Sequence, residues 1–173
     1  MNISDYLQES MQHPNASNSL RELNPLRDDI SIDEIYPVEV SIDMLRAVAV
    51  VVFDCRFADS FSGNTGILVV RGLGKVNWTE HDLRPIRQRN VTSWVTTSDQ
   101  TSWKVVASLE SRGMSDVHIQ GTHANFHCGN VFGVDEAPPD LSSGENDETH
   151  VFPRLSSVFT PLWMTASHVP RDE

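Results

Sequence analysis

The sequence predicts a mainly β protein, an antiparallel β-sandwich or open barrel with one or two short helices and a disordered N-terminal arm. Three observations lead there. Residues 46–55 contain Ala-Val-Ala-Val-Val-Val-Phe, a continuous β-branched run of the kind found in strands buried on both faces. Residues 116–128, Asp-Val-His-Ile-Gln-Gly-Thr-His-Ala-Asn-Phe-His-Cys, alternate polar and apolar side chains on both sides of a Gly-Thr pair. Shorter patterns of the same type recur between turn-forming clusters such as Ser62-Gly63-Asn64.

Residues 1–34 read as a flexible arm. Ser4 suits a helix N-cap, and Ile3, Tyr6, Leu7 and Met11 recur on one face of a short helix. Residues 13–19 are linker-like, and Leu20, Leu23 and Leu26 give the arm apolar points with which to lie across the domain. The domain itself spans 35–164. Residues 36–40 form a strand that Pro37 assigns to an edge. Residues 46–55 are the central strand and 66–72 its antiparallel partner, ended by Gly72 and Gly74. The stretch Gly72-Leu73-Gly74-Lys75 lacks the spacing of a phosphate loop and reads as a turn.

Thr79 suits the cap of a helix that Pro85 limits to one or two turns. Arg84, Arg87 and Arg89 follow, a candidate anion site or a solvated helix end. Residues 91–97 and 102–109 form a hairpin in which Thr97 faces Ser102, so that Trp94, Trp103, Val105, Ala107 and Leu109 share a core face. Residues 134–149 hold six acids, two prolines and no lysine or arginine, the composition of a disordered loop. A last strand is expected over 156–160 between Pro153 and Pro161, and 165–173 form a tail.

The stretch 116–128 carries the most chemistry. A type II′ turn at Gly121-Thr122 would oppose Asp116 to His127, His118 to Asn125 and Ile119 to Ala124. Val117, Ile119, Ala124, Phe126 and Cys128 then share one face, and the polar residues share the other. Asp116, His118 and His127 would converge as a candidate divalent-metal or acid–base site. His123, four residues from His127, would stand ~13 Å away along the strand. The competing reading is a solvated outer sheet face.

The formal net charge is −11, from 24 acidic and 13 basic side chains. That excludes nonspecific nucleic-acid binding and attraction to anionic membranes, and favours a basic protein partner. No apolar run reaches the ~18–20 residues of a membrane helix. The acidic start Met-Asn-Ile-Ser-Asp-Tyr lacks the order of a signal peptide, so a cytoplasmic location is expected. Cys55 and Cys128 form no metal motif; they read as buried thiols or as a single bridge. No nucleophile elbow, zinc motif or dinucleotide fingerprint occurs.

Two functions fit these features. The first is a non-catalytic interaction protein, accessory or inhibitory, without a cofactor. It would bind a basic partner through Asp135, Glu136, Asp140, Glu145, Asp147 and Glu148. The second is a small metal- or histidine-dependent enzyme, or a ligand-binding barrel, centred on Asp116, His118 and His127.

Overall fold

A computed structural model describes residues 1–12, 24–26, 32, 34–79, 91–98, 102–109, 115–134 and 151–167. Among the described residues one helix, α1 (Ile3–Gln12), precedes nine strands. These are β1 (Tyr36–Asp43), β2 (Val48–Asp54), β3 (Thr65–Arg71), β4 (Lys75–Thr79), β5 (Val91–Ser98), β6 (Trp103–Leu109), β7 (Ser115–Gly121), β8 (His123–Val131) and β9 (Phe159–Ala166). They build two antiparallel sheets, one of order β1-β2-β3-β8-β9 and one of order β4-β7-β6-β5. The fold is therefore the expected antiparallel sandwich or open barrel.

Alternation decides which side chains meet between the sheets. Ala49, Val51 and Phe53 of β2, Leu68 and Val70 of β3, and Ala124, Phe126 and Cys128 of β8 face the smaller sheet. They meet Trp94, Trp103, Val105 and Ile119 there. Phe126 lies at the centre, with ring centroids 6.3 Å from Phe53, 5.6 Å from Phe61 and 6.1 Å from Trp163. The residues between them on β2 and β3, Val50, Val52, Ile67 and Val69, form a second apolar layer on the outer face. α1 covers that layer with Ile3 and Leu7. The central run is thus buried on both faces, as its β-branched composition requires.

The stretch 116–128 keeps its two faces but is not a hairpin. β7 pairs with β4 and β6, whereas β8 pairs with β3 and β9. The chain runs straight on at Thr122 and passes from one sheet to the other. β3 and β4 do the same opposite it. Arg71 faces His123 and Lys75 faces Gln120, so three residues, 72–74, oppose two, 121–122. That extra residue is a bulge, and bulges bend a ribbon.

Gly72 takes φ +61° at this corner. Gly121 serves a different need: a Cβ there would lie 2.5 Å from Val70 Cγ1 and 2.6 Å from the Arg71 carbonyl oxygen. A glycine between alternating residues signals either a tight turn or a close backbone approach, and here it is the second. The stretch 72–75 is accordingly a bend within a continuous ribbon. Thr79 is the last residue of β4. Most of the expected helix, with Arg84, Arg87 and Arg89, lies outside the described residues.

Three further expectations change in detail. The second hairpin forms with Thr97 opposite Lys104 instead of Ser102. The shift is two residues, so Trp94, Trp103 and Val105 keep the core face. The last strand is Phe159–Ala166 and runs through Pro161, which an edge strand tolerates because it need not donate there. Asn2, not Ser4, caps α1: its Oδ1 accepts the Asp5 amide at 2.7 Å.

Of the expected arm, Leu26 and Ile32 enter the inter-sheet core, and the Pro25 carbonyl accepts the Trp94 indole N–H at 2.8 Å. Cys55 and Cys128 are buried and not joined by a disulfide. Burial, then the neighbouring Cys128 and Asp54, push the Cys55 thiol well above its usual range.

Among the described residues one ion pair is fully enclosed. Arg56 Nε and Nη2 donate to Asp54 Oδ1 and Oδ2 at 2.9 and 2.6 Å, with the two side chains 2% and 1% exposed. The same guanidinium lies 5.8 Å over the Phe152 ring and reaches the Val151 carbonyl, fastening the chain before β9. Asp54→Ala removes the carboxylate that answers the buried Arg56 charge. It is expected to lower unfolding free energy by about 3–5 kcal/mol, read as a reduced urea midpoint with unchanged slope.

Candidate ligand-binding cleft

On the outer face of the five-stranded sheet, chemistry changes along the strands. Under α1 that face is apolar through Val52, Ile67 and Val69. Towards the corner it presents Arg71 of β3 beside His123, Asn125 and His127 of β8 and Met164 and Ala166 of β9. Ser10 of α1 and Ser167 after β9 complete a cleft of about 310 Å³. That volume is at the lower end of small-molecule sites.

The polar groups of the cleft are held in place. Arg71 Nη1 donates to Asn125 Oδ1. Among the described residues no carboxylate pairs with Arg71. Burial lowers the guanidinium pKa from its ordinary value, yet arginine remains a cation at neutral pH. The corner braces it from behind, where the Thr122 amide donates to the Arg71 carbonyl at 2.9 Å. Thr122 Oγ1 in turn lies 3.0 Å from His123 Nδ1. Ser167 Oγ accepts the Ala124 amide at 2.8 Å.

His127 is the buried member. Its Nδ1 lies 3.1 Å from the Tyr6 hydroxyl of α1, and the two rings meet edge to face with centroids 5.4 Å apart. Its Nε2 is buried without a hydrogen-bond partner. Burial, then the Arg71 charge, lower its pKa to about 3, so the ring is neutral at physiological pH. Burial also raises the Tyr6 hydroxyl pKa.

The predicted trio does not assemble. Asp116 faces Thr79 and Ser108, and His118 faces Asn77 and Val106, all within the four-stranded sheet. His127 faces Ile67 and Met164 in the other sheet. The physical reason is the corner: β7 does not fold back on β8. His118 is exposed on one sheet while His127 is buried on the other. Among the described residues no three His, Cys, Asp or Glu gather to hold a metal. His123, set apart from His127 by distance along the strand, instead shares the cleft with it.

The sequence reading missed Arg71, Ser10 and Ser167. Arg71 had a signal, as the basic end of the apolar run Gly-Ile-Leu-Val-Val in an acidic chain. The two serines had none. Asp135, Glu136, Asp140, Glu145, Asp147 and Glu148 lie outside the described residues.

A second cavity lies between the sheets, lined by Val51, Phe53, Trp78, Trp94 and other apolar side chains. Its free volume of about 30 Å³ is room for one or two water-sized bodies, and its walls are those of a dry core void. Among the described residues no helix is long and apolar enough to cross a membrane.

No known family model matches this chain, and no curated protein or solved structure shows significant similarity to it. The cleft is therefore read on its own chemistry.

His127 makes stability pH-dependent in a definite direction. Unfolded, the imidazole takes a proton near 6.5; folded, it does so only near 3. Between those values the unfolded chain binds more protons, so stability falls as pH drops through the window. His127→Phe is expected to flatten this part of the stability–pH curve, removing a loss of roughly 5 kcal/mol at its full extent. Urea unfolding of both proteins at pH 7, 5 and 4 measures it.

Proposed function

We propose that this chain is a non-catalytic binding protein whose cleft beside α1 takes a small anionic molecule. Arg71 carries the reading. It is a partly buried cation with no carboxylate partner among the described residues, in a chain with 24 acids to 13 bases. Taking a charge out of water is unfavourable unless an opposite charge answers it. A concave cleft with a guanidinium, an amide and hydroxyls supplies the place for that answer. The buried thiols of Cys55 and Cys128, unbridged, support a reducing compartment such as the cytoplasm.

Small anions are expected to shift the amide resonances of residues 71, 123–127 and 167, and matched uncharged molecules much less. Arg71→Gln should weaken anion binding about 10- to 100-fold, since a charge-assisted hydrogen bond is worth roughly 1.5–3 kcal/mol. Equal binding by the wild type and Arg71→Gln would defeat the proposal.

A second reading rests on the net charge of −11 and on the acids of residues 134–149. In it Asp135, Glu136, Asp140, Glu145, Asp147 and Glu148 attract a basic protein partner. Such binding should weaken steeply as ionic strength rises from 0.05 to 0.5 M, roughly, as screening shortens. Deleting residues 135–148 should abolish it. Capture of basic proteins that survives both changes would remove this reading.

A further inference from the structure

We infer that the anion of the cleft is a small monocarboxylate with a short apolar tail, gripped side-on by Arg71. The inference rests on the anion-binding reading above and narrows it to one chemical class. Arg71 spends Nη1 on Asn125, which fixes the plane of the guanidinium. Its Nε and Nη2 have no acceptor among the described residues, and together they form one edge of the fork. Two parallel N–H donors on that edge match the two oxygens of a carboxylate.

Charge selects among oxyanions that fit a fork. Arg71 is the cleft's one fixed cation among the described residues, and His127 beside it is held neutral by burial. A monoanion is balanced by a single guanidinium. A phosphate dianion would leave a negative charge unanswered inside a chain whose net charge is already −11.

The remaining walls describe the rest of the ligand. Met164 and Ala166 give the cleft an apolar side, and Met164, unbranched and flexible, adapts to the tail it meets. Ser10 and Ser167 stand where a polar substituent on the tail would find a hydroxyl. Because Ser10 belongs to α1 and Arg71 to β3, an occupant would touch both the helix and the sheet it covers.

The test uses the full chain at pH 7.5 with three probes: butyrate, butyramide and inorganic phosphate. Butyrate should move the amide resonances of Arg71, His123, Asn125 and Ser167. Butyramide, alike in shape and uncharged, and phosphate should each bind at least 10-fold more weakly. Arg71→Lys keeps the charge without the fork and should lose most of the butyrate affinity. Retained resonance dispersion elsewhere in that variant shows that it is folded.

Phosphate binding at the cleft as tightly as butyrate would overturn the carboxylate class while leaving an anion site in place. Equal binding of butyrate and butyramide would overturn the charge argument and both readings with it. Undiminished affinity in Arg71→Lys would overturn the fork. Absence of any shift with all three probes would overturn the class and the cleft as an anion site together.

Discussion

The architecture depends on one close approach of two backbones. At the corner the α-carbon of Gly121 lies so near the Arg71 carbonyl that a methyl group there would overlap it. The Thr122 amide donates to that same carbonyl, and the Gly74 amide donates to the Gln120 carbonyl at 2.9 Å. These contacts let the ribbon of β3–β4 and β7–β8 bend without losing its pairing. Both sheets are seeded by that ribbon, since β2 and β9 extend it on one side of the bend and β6 on the other. The inter-sheet core follows from the bend, because it turns the apolar sides of β3, β7 and β8 towards one space. Arg71 also owes its position to the bend. It is the last residue of β3, where the outer face emerges from under α1.

Much of this was legible in the sequence, and what was not has an identifiable cause. Faces were legible because side-chain alternation is local: Val117, Ile119, Ala124, Phe126 and Cys128 all point to the core, as their spacing implies. Topology was not, because a Gly-Thr step in an alternating run has the same pattern whether the chain turns back or continues. That ambiguity created the expected meeting of Asp116 with His127. The shifted hairpin at Thr97 shows the same limit in milder form, since a two-residue slip changes neighbours and leaves faces intact. β9 was drawn short because Pro161 marks a boundary in a central strand and none in an edge strand. The cleft was illegible because its lining comes from α1, β3, β8 and the end of β9, which only the fold brings together.

Among the described residues, two buried or half-buried guanidinium groups are treated in opposite ways. Arg56 is closed off with Asp54, and every element of its surroundings fixes one arrangement. Arg71 is given a neutral amide and a neutral imidazole for company. The first arrangement is complete in itself. The second leaves its positive charge facing a cavity, next to an imidazole nitrogen without a hydrogen-bond partner. A cation without a carboxylate partner among the described residues thus stands beside a buried imidazole nitrogen that has no hydrogen-bond partner.

The two ends of the described chain are stitched to each other. Asn2 bridges to Val158, the Ile3 and Ser4 amides donate to Ser157 and Leu155, and the Phe159 amide donates to Met1. α1 therefore lacks part of its seat until the segment before β9 has emerged. A ten-residue helix is marginal alone in water. Its apolar stripe of Ile3 and Leu7 needs the sheet face of Val52, Ile67 and Val69 to cover it. The seat of the element that roofs both the outer core and the cleft is thus completed only once that late segment is in place.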